Sequence, residues 1–317
     1  DYYPYAIPKI SIIALIPLLS LVAYVSLGYF GIKGISKKSV YAYSILFYLA
    51  TLSIVSNIFI NVGTFMNERF VFMASAGFSI ATAYFLVAHL PKLNKYGRQI
   101  ALVLAGVMLV GYSAKSYVRV PVWKDALSLN GAAVAISSNS ARANSFMATA
   151  FFDKYKETLM PNAVKRLSDE QRNLLNWTEV YAKKAIDIVP DYSNANLMLI
   201  GVVTERYKTS GDIKQYVTDM KPCIIRRPDI PFIKEFSDYL KGKNEHQEEL
   251  FGLYLSVGQE LMNVKDERST WALNYLNYAY EIHPNNKVVN QALATVYERL
   301  GNTNQAKRFQ DAANALQ

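Results

Sequence analysis

Four stretches of the first 120 positions contain no charged side chain: Ile10–Ile32, Ser39–Asn67, Phe70–Pro91 and Gln99–Ala114. A membrane-spanning helix needs about 20 mostly apolar residues, and the first three runs meet that length outright. The fourth is shorter, but Lys115 can extend its amine toward the interface and Tyr112 and Tyr117 suit the same level. Buried helices of a soluble core would need four helices without charged outer faces, so the pattern favours membrane spans. The expected spans are about 8–32, 40–62, 70–90 and 99–117. The first run is too long for a signal peptide and is followed soon by another span.

From Pro121 onward the pattern changes to amphipathic helices separated by short breaks. Three segments align: Ala135–Asn139, Asp187–Asp191 and Glu281–Asn285. Each ends an apolar helix at Pro or Ser, then places an acid or amide before the next helix. Near the C-terminus, Leu293, Ala294, Tyr297, Gly301, Ala306 and Ala313 fall at the offsets of a tetratricopeptide helix-turn-helix unit, with Ala272, Leu276, Ala279 and Pro284 in the helix before it. The spacing between the segments is irregular. Glu157–Arg172 reads as an insertion within a helix pair, and Pro222, Pro228 and Pro231 break up the middle of the array. The expected fold is therefore all-α, with polytopic membrane helices in residues 1–120 and an α-solenoid of degenerate tetratricopeptide repeats, four or five helix pairs, in 121–317. A generic helical bundle is the alternative. Solenoids of this kind offer a concave groove to an extended peptide or partner protein; the tyrosines of this half serve either that groove or, more often, packing.

Charge adds orientation. The 317 residues carry 34 Lys and Arg against 25 Asp and Glu. Up to Val120 there are ten bases and two acids, which leaves 24 and 23 for the rest, so the basic excess flanks the apolar runs. That distribution argues against a nucleic-acid-binding protein, whose charge would form a patch on a soluble domain. Lys33, Lys37 and Lys38 follow the first run, and Lys92, Lys95 and Arg98 follow the third. The positive-inside bias puts both loops in the cytoplasm. The Glu68-Arg69 loop and everything after Arg119 then share the external side, periplasm in a bacterium or lumen in a eukaryotic endomembrane. A bacterial inner membrane is the expectation. One cysteine, Cys223, excludes an internal disulfide framework, and three scattered histidines argue against a His-cluster metal site.

Polarity within the membrane half concentrates at Asn57, Asn61, Asn67, Glu68 and Arg69. Two readings stand. Glu68 and Arg69 form an interfacial pair that starts the third helix, or Arg69 meets a phosphate, whose oxygens match a guanidinium fork. Farther on, Trp123 reads as an interface anchor and Asp125 as a helix start. Cys223 reads as a buried thiol. Asn176-Trp177-Thr178 matches a glycosylation sequon of the kind expected by chance in a chain of this length.

Ser56-Asn57-Ile58-Phe59, Val62-Gly63, Glu68-Arg69-Phe70, Ser75 and Gly77-Phe78 together resemble a signature of the transmembrane and tetratricopeptide-repeat-containing O-mannosyltransferases and their bacterial relatives. Arg119, Trp123, Asp125 and Leu127 resemble the link between that family's membrane part and its repeats. Phe72-Met73-Ala74 departs from the family's Tyr-Leu-Pro type run. The resemblance implies a GT-C membrane glycosyltransferase that moves a sugar from a polyprenyl-phosphate donor to a protein hydroxyl. It puts Arg69, Glu68, Asn57 and Asn61 at the donor-phosphate end of the cavity and gives the repeats the task of gathering the acceptor or a partner. The family's catalytic acids lie in an early external loop that nothing here matches; Asp1 and Glu68 are the only acids before Asp125. The catalytic residues are thus unassigned, and the chain reads as the C-terminal part of such an enzyme. No cofactor is expected, and a divalent metal enters only with ligands from further sequence. The bilayer, a polyprenyl-phosphate sugar and a protein are the expected partners. The alternative is a non-catalytic, membrane-anchored repeat scaffold or accessory subunit of an envelope or secretion complex. A polymerase or ligase of polyprenyl-linked sugars would carry a long Arg- and His-bearing external loop between late spans, which is not present.

Overall fold

A computed structural model describes residues 11, 13–57, 68–93, 95–159, 166–242 and 245–316. Among the described residues every regular element is helical. The chain divides into two compact units, Pro8–Pro121 and Val122–Gln317.

The first unit contains α1 (Leu15–Ile35), α2 (Val40–Ile54), a 3₁₀ turn (Glu68–Phe70), α3 (Val71–Tyr84), a π-helical turn (Phe85–His89), α4 (Leu90–Leu93) and α5 (Gly97–Arg119). Three of its helical stretches are long and apolar enough to cross a membrane: Leu15–Ile35, Val71–Leu93 and Gly97–Trp123. The first begins at Leu15, just after a bond from the Ala14 amide to the Ser11 carbonyl at 3.0 Å; residues 8–10 lie outside the described part. Pro17 sits in the helix's first turn, where its missing N–H costs nothing. Lys33 and Arg119 occupy the last turns of α1 and α5, the end at which the helix dipole favours a cation.

The second expected span, 40–62, departs from expectation. Helix α2 has 15 residues, about 22 Å at 1.5 Å per residue, short of a hydrocarbon core of about 30 Å. It stops because hydroxyls compete for its last carbonyls: Ser53 Oγ donates to Ala50 O at 2.7 Å and Ser56 Oγ to Ser53 O at 2.8 Å. Asn57 then takes φ = 58°, the left-handed conformation that an amide side chain tolerates. Residues 58–67 lie outside the described part.

Little of this unit is buried, and what is buried is small: Gly31, Ala42, Ser44, Ala74, Gly77 and Gly97. A Cβ on Gly34 would meet Ala42 Cβ at 2.6 Å, and one on Gly77 would meet Ser44 O at 2.5 Å, so α1–α2 and α2–α3 approach nearly backbone to backbone. Large side chains such as Leu15, Phe72, Val87 and Leu109 are exposed. That inversion suits a lipid solvent, in which helices associate through close contact rather than through hydrophobic burial.

The second unit has ten described helices: α6 (Ala126–Ile136), α7 (Ala141–Glu157), α8 (Asp169–Ile188), α9 (Ser193–Ser210), α10 (Ile213–Arg226), α11 (Pro231–Gly242), α12 (Gln247–Met262), α13 (Ala272–Ile282), α14 (Lys287–Arg299) and α15 (Thr303–Ala315). From α6 to α10 and from α12 to α15 each helix packs on the next, and α10 also packs on α12. Helix α11 gives Ile233, Phe236 and Leu240 to the shared core. Starts are capped by Ser140, the Ser168–Gln171 capping box, Asp212, Asn286 and Asn302. Pro222, expected to break the array, lies inside α10, which continues to Arg226. Packing of α10 on α9 and α12 outweighs the one lost backbone bond.

The three aligned segments each become a tight turn between packed helices, and each turn carries the same buried amide. Asn144 Nδ2 donates to Ser138 O and Ser140 O, both at 2.8 Å. Asn196 Nδ2 donates to Pro190 O at 3.0 Å and Tyr192 O at 3.1 Å. Asn290 Nδ2 donates to Pro284 O at 2.8 Å and Asn286 O at 2.9 Å. The carbonyls are always those six and four residues back, and all three side chains are buried. Only Asn196 also uses its oxygen, accepting Arg226 Nε–H at 3.0 Å, whereas Oδ1 of Asn144 and Asn290 accepts no bond among the described residues. Replacing Asn290 with Ala removes a donor from the part-buried Pro284 and Asn286 carbonyls and should cost about 1 kcal/mol. Asn196→Ala should cost more, because Arg226 loses its acceptor as well. Denaturant titration of the purified chain, followed by tryptophan emission, measures both; equal, negligible losses would remove the amides from this account.

Candidate functional site

The Glu68-Arg69 pair opens α3. Both residues belong to the 3₁₀ turn Glu68–Phe70, with Arg69 exposed, and Val71 begins the helix directly after it. Asn57, exposed and left-handed, ends the turn after α2. Asn61 and Asn67 lie outside the described residues.

Beside this turn runs a groove of about 660 Å³ between α1, α2 and α3. Its walls are Ser20, Ala23, Tyr24 and Leu27 of α1, Ser44, Ile45 and Tyr48 of α2, and Val71, Ser75, Gly77, Phe78 and Ala81 of α3. The signature residues after Arg69 therefore have a physical role. Gly77 lets α3 touch the α2 backbone, and Ser75 and Phe78 face the groove that this approach creates. Hydroxyls dot an otherwise apolar lining. Ser44 Oγ and Ser75 Oγ are spent on their own helices, at 2.9 Å to Val40 O and 2.7 Å to Phe72 O. Tyr24 and Tyr48 stack and bring their hydroxyls to 3.3 Å. Sequence reasoning missed the groove lining on α1 and α2, including Ser20, Tyr24, Ser44 and Tyr48. The available signal was the spacing Ser20/Tyr24 and Ser44/Tyr48, which at i, i+4 puts each pair on one helix face.

The remaining expected positions are structural in the first instance. Arg119 is the last residue of α5, and Trp123 is exposed at the end of a 3₁₀ turn, Val120–Trp123. Asp125 caps α6: its Oδ1 accepts the Ser128 amide at 2.8 Å, and that bond holds its carboxyl below the usual range. Leu293, Ala294 and Ala313 are buried, Ala306 is half-buried, and Tyr297 stacks on Phe309 at 5.5 Å. Gly301 turns the chain between α14 and α15 at φ = 74°. Tyr216, Tyr254 and Tyr275 are packing residues of the core, whereas Tyr239 is exposed. The Asn176 sequon is held within α8, where Thr178 is buried and bonds Leu174 O and Asn176 accepts a bond from Arg206. Among the described residues no three His, Cys, Asp or Glu side chains gather where they could hold a metal.

Cys223 is buried, and burial pushes its thiol up to about 11 even though Arg226 beside it favours the thiolate. It should therefore resist alkylation at about pH 8 in the folded chain and react once denaturant is added. Mass spectrometry of the alkylated protein reads the difference, and rapid native labelling would contradict the buried, protonated thiol.

No family model and no characterised protein matches the chain.

The groove makes its own prediction. Gly77→Val would force α2 and α3 apart, because the first added carbon already meets Ser44 O at 2.5 Å and Tyr48 N at 3.0 Å. Overpacking of this kind costs about 1–3 kcal/mol. The detergent-solubilised variant should melt earlier than the parent; an unchanged melting temperature would show that the helices do not meet at this glycine.

Proposed function

We propose that this chain is the C-terminal part of a GT-C-type glycosyltransferase of the transmembrane and tetratricopeptide-repeat-containing kind, acting on a polyprenyl-phosphate sugar. The observation that carries the reading is the juxtaposition in the first unit: an apolar groove whose rim residue, Val71, stands two positions after Arg69. An isoprenoid chain needs an apolar slot, and its phosphate needs a cation at one end. Guanidinium meets phosphate through two parallel charge-assisted bonds. The short α2 helps, because a helix of about 22 Å leaves Asn57 within reach of the headgroup level instead of well outside it.

In this reading α2 counts as a fourth, short crossing and the lysine-rich loops face the cytoplasm. The helices from α6 onward form an external, degenerate tetratricopeptide solenoid that gathers the acceptor protein. In a bacterium that side is the periplasm. Glu68 is the only acid among the described residues of the first unit, so the base that deprotonates the acceptor hydroxyl comes from further sequence or a second polypeptide. The same scarcity of acids supports a second reading, in which the spans anchor a repeat scaffold without transferring anything.

The two readings separate on Arg69→Ala. For a donor site, the variant in lipid nanodiscs should bind polyprenyl phosphate roughly tenfold or more weakly than the parent, as expected for a lost charged hydrogen bond. It should also lose sugar transfer in the complete enzyme while inserting and folding normally. Near-normal binding and transfer would remove Arg69 from the donor site and leave the scaffold.

A further inference from the structure

The second unit holds a polar pocket of about 950 Å³ at one edge, where the turns after α8, α10 and α12 converge. Two Arg–Asp pairs line it. Arg227 grips Asp229 with both Nε and Nη2, at 2.7 and 2.6 Å, and its Nη1 reaches back to Asp191 O at 2.9 Å. Arg268 grips Asp266 in the same way, with Nε at 2.9 Å and Nη2 at 2.7 Å, and its Nη1 donates to Ile225 O at 3.2 Å. Both forks are thus pinned to a carboxylate and to the backbone of a neighbouring turn. Arg226 adds a third guanidinium, fixed by Asn196 Oδ1 and Cys223 Sγ, and Trp271, half-buried against the core, supplies an aromatic wall.

The hydrogen-bond inventory of this lining selects a class of ligand. A guanidinium has five N–H donors, and Arg227 and Arg268 each spend three nitrogens' worth on the contacts above. A carboxylate has about four acceptor sites, so Asp229, held by the Arg227 fork, keeps some in reserve, whereas Asp266 also accepts the Arg268 amide at 3.0 Å and is close to saturated. The pocket therefore offers fixed, planar donors next to fixed, planar acceptors. Its charges nearly cancel: an anion would meet Asp191, Asp229, Asp266 and Glu267, and a cation would meet three arginines. A sugar hydroxyl, which donates once and accepts twice, satisfies both kinds of neighbour without adding charge. The apolar C–H face of a pyranose also covers an indole in the way that water cannot. The volume falls within the roughly 300–1,000 Å³ range of small-molecule sites.

We infer that this pocket binds a neutral carbohydrate, an oligosaccharide of a few rings, through Arg226 and the Arg227–Asp229 and Arg268–Asp266 pairs, with Trp271 as the stacking wall. The inference does not depend on the donor-groove reading, because every residue it uses belongs to the second unit; a chain that fails to bind polyprenyl phosphate would still bind sugar here.

The test uses the full chain in lipid nanodiscs and a series of neutral di- to tetrasaccharides in gluco-, manno- and galacto-configuration. Saturation-transfer NMR and tryptophan emission provide the readouts. At least one series member should bind saturably, with ring C–H protons receiving the strongest transfer. Asp229→Asn and Arg226→Gln should each weaken that binding about tenfold or more while leaving the far-ultraviolet circular dichroism unchanged. Trp271→Phe keeps the core packed and should weaken binding less, with loss of the emission change. Should Asp229→Asn disturb the turn, Arg226→Gln and the pattern of proton transfer still decide. No saturable binding of any member up to about 10 mM, binding indifferent to Arg226→Gln, or preferential binding of a charged peptide would overturn the assignment.

Discussion

Helices in this chain meet where at least one partner has almost no side chain. In the first unit the meeting points are Gly34 against Ala42 and Gly77 against Ser44; in the second they include Gly201 against Phe152 and Gly258 against Leu276. Fully buried alanines repeat the device at Ala141, Ala148, Ala182, Ala185, Ala195, Ala279 and Ala313. The reason differs between the units. In water, close approach lets the flanking Leu, Ile and Tyr side chains bury fully, and that burial supplies the driving force. In lipid there is no comparable gain from hiding Leu, so contact between backbones has to provide it. The groove of the first unit is a direct product: α2 and α3 touch at Gly77, and the space left beside the contact is what Tyr24, Tyr48 and Phe78 line.

Much of the helical layout was legible in the sequence because absence of charge is a strong signal over 20 residues. Leu15–Ile35, Val71–Leu93 and Gly97–Trp123 correspond to three of the charge-free runs. The end of α2 was not legible, since the run continues without charge to Asn67 while the helix stops at Ile54. What stops it is local hydrogen bonding by Ser53 and Ser56 and a left-handed Asn57, which hydropathy does not register. Pro222 misled in the opposite direction, because its effect on α10 is decided by neighbouring helices. At the groove, Arg69, Ser75, Gly77 and Phe78 stood out as consecutive pieces of one pattern. Tyr24 and Tyr48 carried only the i, i+4 spacing within each helix, and their meeting depends on two helices approaching from 24 positions apart.

The irregular spacing of the repeated segments has a physical account in the buried amides. Asn144, Asn196 and Asn290 are separated by 52 and 94 residues, yet each makes the same two bonds to the turn before its helix. What recurs is therefore the turn. Chain length between turns varies, most plainly with the three helices α10, α11 and α12 that stand between α9 and α13. A turn locked in this way fixes how one helix leaves the previous one, so the packing survives changes elsewhere in the chain. Periodicity searches look for constant length and so see only part of such an array.

Asn196 also connects this structural device to the polar pocket. Its amide nitrogen holds the Pro190–Tyr192 turn, on which Asp191 rims the pocket, and its oxygen holds Arg226 from the end of α10. Arg227, next in the chain, bonds Asp191 O from the other side. Two turns belonging to different helix pairs are thereby tied through one buried side chain and two guanidiniums. A site needs its polar groups held in place before a ligand arrives, since groups ordered only on binding give up part of the affinity to conformational entropy. Here that ordering is already supplied by interactions that the fold requires in any case. The turn that repeats for packing has, at its middle occurrence alone, gained an arginine on its spare oxygen, and the pocket lies where that difference falls.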